Sequence, residues 1–88
     1  MNKISVLFVC LGNICRSPAA EAIFIRLLEK NGLTDAFIVD SAGTGSWHIG
    51  KKADSRMRIA AERRDINILS KARQITSKDF DEFNYILA

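Results

Sequence analysis

The stretch Ile4-Ser5-Val6-Leu7-Phe8-Val9-Cys10 is almost continuously apolar and rich in β-branched residues. It is short and runs into Gly12-Asn13, which predicts a strand rather than a helix. A strand apolar on both faces suits the middle of a parallel sheet covered by helices. After a loop over 11–16 the period changes. Ser17 reads as an N-cap, Pro18 suits the first helical position, and Glu21 complements the helix dipole in the first turn. Apolar Ala19, Ala22, Ile23 and Leu27 oppose Arg26, Glu29 and Lys30, and Asn31-Gly32 ends the helix. Phe37-Ile38-Val39 predicts a second strand, closing a right-handed β-α-β unit. Gly43, Gly45 and Gly50 mark a loop that carries Trp47 and His48. A second helix is expected over 54–64 with Met57, Ala60 and Ala61 inward. A short helical turn from Ser77 should carry Phe80 and Phe83, and Tyr85-Ile86-Leu87-Ala88 forms a third strand.

This alternation implies an α/β fold, a three-layer α/β/α arrangement with a parallel sheet, as one domain over residues 1–88. Three strands make a thin sheet, and the last apolar run is cut short. The expectation is the N-terminal part of a longer protein or a naturally truncated one; the alternative is a sheet completed by dimerisation. At 88 residues a chain buries only about 60–65% of the surface its unfolded form exposes, so the core is marginal.

Composition narrows the function classes. The chain is 48% hydrophobic and 26% charged, with one proline and five glycines, which excludes collagen-like, disulfide-scaffold and disordered classes. Thirteen Lys and Arg against ten Asp and Glu leave a net charge of +3. That suits an anionic ligand, but the basic residues are dispersed and do not point to nucleic acid. Cys10, Cys15 and His48 are too few for a closed Cys/His zinc site, and no cofactor is called for. Ile4 to Leu11 is too short to span a bilayer and lacks a cleavage site, so the expected location is cytoplasmic, with reduced thiols and no membrane partner.

The informative segment is Cys10-Leu11-Gly12-Asn13-Ile14-Cys15-Arg16-Ser17, between a strand's C-terminal end and a helix N-terminus, where open α/β sheets bind ligands. Successive backbone N–H groups there can point inward, and the helix end adds partial positive charge, making a site for a phosphate-like dianion. Gly12 is expected to supply a backbone conformation closed to residues with a Cβ. Arg16 offers a planar two-pronged donor to two phosphoryl oxygens. Donors that bind a dianion also stabilise a thiolate, so Cys10 beneath them becomes an in-line nucleophile for phosphoryl transfer. A cysteine at a strand end is otherwise a small buried hydrophobe; the Gly-bearing loop and the helix that follows favour the chemical role. The G-x-x-x-x-G-K-[ST] pattern of nucleotide-binding loops is absent.

Val6-Leu7-Phe8-Val9 followed by Cys10 to Pro18 and Ala20-Glu21-Ala22 resembles the low-molecular-weight protein tyrosine phosphatases. The resemblance continues through Asp40-Ser41-Ala42-Gly43-Thr44, Trp47-His48-Ile49-Gly50, Ala72-Arg73-Gln74-Ile75-Thr76 and Phe83-Asn84-Tyr85-Ile86-Leu87. It implies a phosphocysteine intermediate on Cys10 and phosphate binding by Arg16 with the loop residues Leu11, Gly12, Asn13, Ile14, Cys15 and Ser17. It also implies loop support from Asn13, Ser17 and Ser41, with the Ser17 hydroxyl on the thiolate, and a four-stranded parallel sheet. The substrate implied is a phosphotyrosine-containing protein or an aryl phosphate. The family's general acid is an aspartate in an Asp-Pro motif near the C-terminus, and these 88 residues end before it; its fourth strand and last helix are missing as well. Ser70 stands where many members carry a histidine of the loop-supporting network, and serine cannot span as far.

The remaining candidates are weaker. Trp47 is a wall of the phosphotyrosine pocket by resemblance, or else a cover for a hydrophobic edge. His48 is expected to be solvated rather than a base. Cys15 either packs the loop or pairs with Cys10 under oxidation. Asp79, Asp81 and Glu82 read as a solvated helix face. Two other functions share the Cys-x5-Arg loop: an arsenate reductase, which needs more cysteines than Cys15 offers, and a phosphate-binding fragment without full activity.

Overall fold

The computed structural model describes residues 3–88. Its elements are β1 (Ile4–Cys10), α1 (Arg16–Lys30), β2 (Phe37–Gly43), α2 (Ser55–Glu62), α3 (Ser77–Glu82) and β3 (Tyr85–Leu87), with a 3-10 turn at Thr34–Ala36 before β2. β1 is the middle strand of a parallel sheet of order β2-β1-β3, the position its two-sided apolar pattern requires. It pairs with β2 along its whole length, from Ile4 opposite Phe37 to Cys10 opposite Gly43, and with β3 over Val6 to Phe8. β2 is therefore longer than Phe37-Ile38-Val39: Asp40, Ser41, Ala42 and Gly43 continue it despite their low β-propensity, because each lies beside a β1 residue.

Side chains alternate between the sheet's two faces. Phe8 and Phe37 share the face under α1, where Phe24 meets both edge-on, with ring centroids 5.9 and 5.6 Å apart. Leu7 and Ala42 are wholly buried, and Val6, Leu28, Ala53, Ile68 and Ala72 complete the core.

Several sequence expectations are corrected. α1 begins at Arg16, so Ser17 lies inside the first turn and Cys15 takes the cap position without a side-chain cap; the Ser17 hydroxyl is engaged elsewhere, and no acidic residue falls in the first turn. Pro18 still fits, since its missing N–H is among those a helix start leaves free. The inward stripe of α1 runs through buried Ser17 and Leu28 with Glu21 and Phe24 half-buried between them, whereas Ile23 and Leu27 are 46% and 52% exposed. Ala60 and Phe80 are also exposed, with Met57, Ala61 and Phe83 half-buried. α2 is the shorter helix Ser55–Glu62, capped by Asp54, which accepts the Met57 N–H. The end of α1 is as anticipated: Gly32 has φ 66°, and the Leu33 and Gly32 amides donate to Leu28 and Glu29 carbonyls, a Schellman closure.

Candidate active site

β1 delivers Cys10 to the end of the central strand, and the chain turns over 11–15 before α1 begins. The residue that makes this turn is Asn13, with φ 56°, not Gly12, which has an ordinary negative-side backbone. Asn tolerates the left-handed region better than most residues with a Cβ. Gly12 is needed for room: a Cβ there would lie 3.0 Å from the His48 ring. Gly43 is needed beneath the loop, where a Cβ would stand 2.9 Å from the Leu11 carbonyl oxygen and 3.1 Å from the Asn13 Cβ.

Asn13 is only 2% exposed, and both ends of its amide are engaged. Nδ2 donates to Ser17 Oγ (2.7 Å) and Ser41 Oγ (3.0 Å), while Oδ1 accepts the Arg73 backbone N–H (2.9 Å). An N–H can only donate, so the Arg73 contact fixes which end of the amide is oxygen. With Nδ2 facing both hydroxyls, each serine turns its own proton outward. Ser17 directs it at Cys10 Sγ, 2.9 Å away, and Ser41 donates to Glu21 Oε1 at 2.5 Å. The Asn13 backbone N–H donates to the same sulfur at 3.2 Å.

Burial pushes the Cys10 thiol up, but the Ser17 hydroxyl and the backbone N–H groups of Ser17, Asn13 and Gly12 outweigh it and hold the group below its ordinary value. The loop is thus a nest of donors converging on one sulfur. Glu21 shifts the other way: burial raises it, the Ser41 hydroxyl opposing, with Asp40 repelling and Ser70 and Arg73 helping the charged form.

Cys10, Leu11, Gly12, Ile14, Cys15, Arg16, Trp47 and His48 line a cavity of about 230 Å³ above the thiol. Arg16 is exposed and has no ion-pair partner among the described residues, so its guanidinium is available to an incoming anion. Cys15 is half-buried, and both cysteines are free thiols. Trp47, 67% exposed, lies across Gly45, where any Cβ would overlap its ring. His48 is half-buried against Gly12 rather than free in solvent, which corrects the expectation of a solvated side chain. Ser70 sits with Glu21 beside a separate cavity of about 400 Å³ between α1 and the 65–70 turn, away from the thiol.

Asp79 is a second correction. It is 4% exposed, forms two 3.0 Å bonds with the Arg73 guanidinium and accepts the Thr76 N–H in a capping box. Arg73 holds its carboxyl below the usual range. Asp81 and Glu82 are exposed, as the sequence suggested. Sequence reasoning missed Glu21 and Arg73 as parts of the site. Glu21 enters through the Ser41 hydroxyl and Arg73 through its backbone at Gly43 and Asn13, and nothing local announces either.

The sequence profile of the low molecular weight phosphotyrosine protein phosphatases matches residues 5–88. The chain belongs to this family. It is 48% identical to the low molecular weight phosphotyrosine protein phosphatase of Sus scrofa over 94% of its own length and 52% of that protein's. The structure of YfkJ from Bacillus subtilis superposes with a TM-score of 0.94 at 49% identity, covering 98% of this chain and 55% of that one. A protein tyrosine phosphatase from Entamoeba histolytica gives 0.93 at 50% identity, covering 96% and 54%. The chain spans about half the length of these relatives. Among the described residues no helix is long and apolar enough to cross a membrane.

Proposed function

We propose that the chain hydrolyses aryl phosphate esters, phosphotyrosine in proteins above all, through a phosphocysteine on Cys10. The observation that carries the reading is the convergence of the Ser17 hydroxyl and the Asn13 backbone N–H on the Cys10 sulfur, beside an Arg16 with no ion-pair partner among the described residues. Arg16 and the loop amides bind the phosphoryl oxygens. The thiolate attacks phosphorus in line, an S–P bond forms, and the P–O bond to the aryl oxygen breaks with its electron pair leaving on that oxygen. Water then attacks phosphorus, the S–P bond breaks, and phosphate and thiolate are released. The loop donors stabilise charge on the equatorial oxygens in both steps. Trp47, lying over Gly45 at the mouth of the cavity, supplies a flat wall for the aryl group.

Rapid quenching with p-nitrophenyl phosphate should yield a phosphorylated peptide containing Cys10. Cys10→Ser should abolish turnover while phosphate binding remains, because the hydroxyl is a poor nucleophile that barely alters the loop. Arg16→Lys should be nearly as damaging, since a point charge cannot replace the two-pronged contact. Turnover near the parent rate in Cys10→Ser would refute the mechanism. Thioredoxin-dependent reduction of arsenate in place of ester hydrolysis would move the chain to the reductase class.

A further inference from the structure

Arg73 lies outside the loop, and its side chain points to no substrate cavity, yet it is the most connected cation among the described residues. Its guanidinium joins Asp40 of β2 at 3.0 Å and Asp79 of α3 through two 3.0 Å bonds. Its backbone is pinned as well: the Gly43 N–H donates to its carbonyl at 2.8 Å, and the Ile75 N–H returns to Gly43. Between these anchors its own N–H meets Asn13 Oδ1, the contact that fixes the Asn13 amide.

Were that amide to turn over, Oδ1 would face the Ser17 and Ser41 hydroxyls, and both would donate to it. The proton now on the Cys10 sulfur side of Ser17 would be withdrawn from the thiolate. The same loss follows if the 71–76 segment shifts and Asn13 relaxes from its left-handed backbone, taking its N–H away from Sγ. Asp79 is suited to prevent this. It is buried, and it caps the helix that follows, so it ties Arg73 to a fixed element rather than to a mobile side chain.

We infer that the Asp40–Arg73–Asp79 clamp is a positioning device for the nucleophile, holding the Arg73 N–H on Asn13 so that the Ser17 hydroxyl and the Asn13 N–H stay aimed at Cys10. The inference rests on the catalytic reading of Cys10, and its test is independent of turnover. The rate of Cys10 alkylation by iodoacetamide, followed peptide by peptide against pH, reports the thiolate directly and separates Cys10 from Cys15. Three variants of the 88-residue chain are compared with the parent after circular dichroism has confirmed the fold. Ser17→Ala removes a donor and calibrates the method. Arg73→Lys keeps the charge but cannot bridge two carboxylates. Asp79→Asn still accepts the Thr76 N–H while losing the charged fork.

Loss of one hydrogen bond to a charged sulfur should raise the Cys10 midpoint by about one pH unit, a roughly tenfold fall in thiolate below it. Arg73→Lys and Asp79→Asn should both show this rise, with kcat falling more than KM changes. A rise in Ser17→Ala alone, with both clamp variants at the parent midpoint, overturns the clamp and leaves the catalytic reading intact. A parent midpoint like that of a free cysteine overturns both. Loss of native circular dichroism in both clamp variants assigns the clamp to general stability and also overturns it.

Discussion

Asn13 combines three tasks in one residue: it bends the loop, donates to two serines and presents its backbone N–H to the Cys10 sulfur. The tasks can be separated. Asn13→Gly keeps the left-handed turn without strain but removes the amide. Asn13→Ala removes the amide and keeps a Cβ at positive φ, which costs about 1–2 kcal/mol relative to glycine. Urea unfolding should find Asn13→Ala less stable than Asn13→Gly by about that amount, while Cys10 alkylation shows the same raised midpoint in both. Equal stability would mean that the turn at residue 13 carries no conformational preference in solution. Cys10, Arg16 and Ser17 were legible in the sequence because the loop that joins them is contiguous. Asn13 was legible only as a loop supporter. The left-handed position was assigned to Gly12 because glycine is the commonest occupant, whereas what Gly12 supplies is clearance for His48. Glu21 and Arg73 meet the loop through contacts 20 to 60 residues apart in sequence, and no local pattern encodes such distances.

α1 shows how an element's inner face can be misread when part of it is polar. Its inward stripe begins with Ser17 and Glu21 and only then becomes Phe24 and Leu28, so a search for apolar periodicity slides onto the exposed Ile23 and Leu27. The polar half of the stripe serves the loop and the apolar half serves the core. α3 hides its function similarly: three acidic residues look like a solvated face, but one is buried on Arg73. These two carboxyls give opposite acid responses. Asp79 is held below the ordinary aspartate value of 3.8, so its contribution is complete above that value and is lost as pH falls through its folded pKa. Asp79→Asn should therefore cost about 2 kcal/mol at pH 7, and the difference from the parent should vanish in strong acid. Glu21 is raised above the ordinary 4.5. Its contribution is complete below 4.5 and is lost as pH rises through the raised value. Glu21→Gln, which can still accept from Ser41, should match the parent near pH 4 and be the more stable at pH 7. Chemical denaturation at the two pH values checks both signs. A Glu21→Gln variant less stable than the parent at pH 7 would mean that the charged carboxylate is needed by Ser41.

On the scale of the whole molecule, the sheet has three strands, and a groove of about 620 Å³ runs along β1 beside β3, lined by Phe8, Val9, Ala20, Leu87 and Ala88 and reaching Cys10 and Arg16. The parallel α/β class followed from the alternation of elements, whereas the register, Ile4 opposite Phe37 to Cys10 opposite Gly43, came only from the structure. What the pattern could not convey is how the loop's surroundings are populated. The side chains lining the cavity above Cys10 provide two thiols, a guanidinium and one imidazole, but no carboxylate among the described residues. In the proposed reaction the first step expels an aryloxide, and proton donation to such a leaving group typically contributes about 10²–10⁴-fold, most for a basic one. A p-nitrophenoxide leaves readily without a proton, and the phenoxide of tyrosine does not. The 88-residue chain should therefore hydrolyse p-nitrophenyl phosphate measurably and phosphotyrosine about 10²–10⁴-fold less well, with a steep dependence of rate on leaving-group pKa across a series of aryl phosphates. His48 provides the decisive control, since its ring lies against Gly12 at the cavity wall. If the series is flat in the parent and becomes steep in His48→Gln, the imidazole donates the proton and the steep dependence expected here is wrong. If parent and variant are equally steep, the loop supplies the nucleophile and the phosphate site, and the leaving group departs without a proton from these residues.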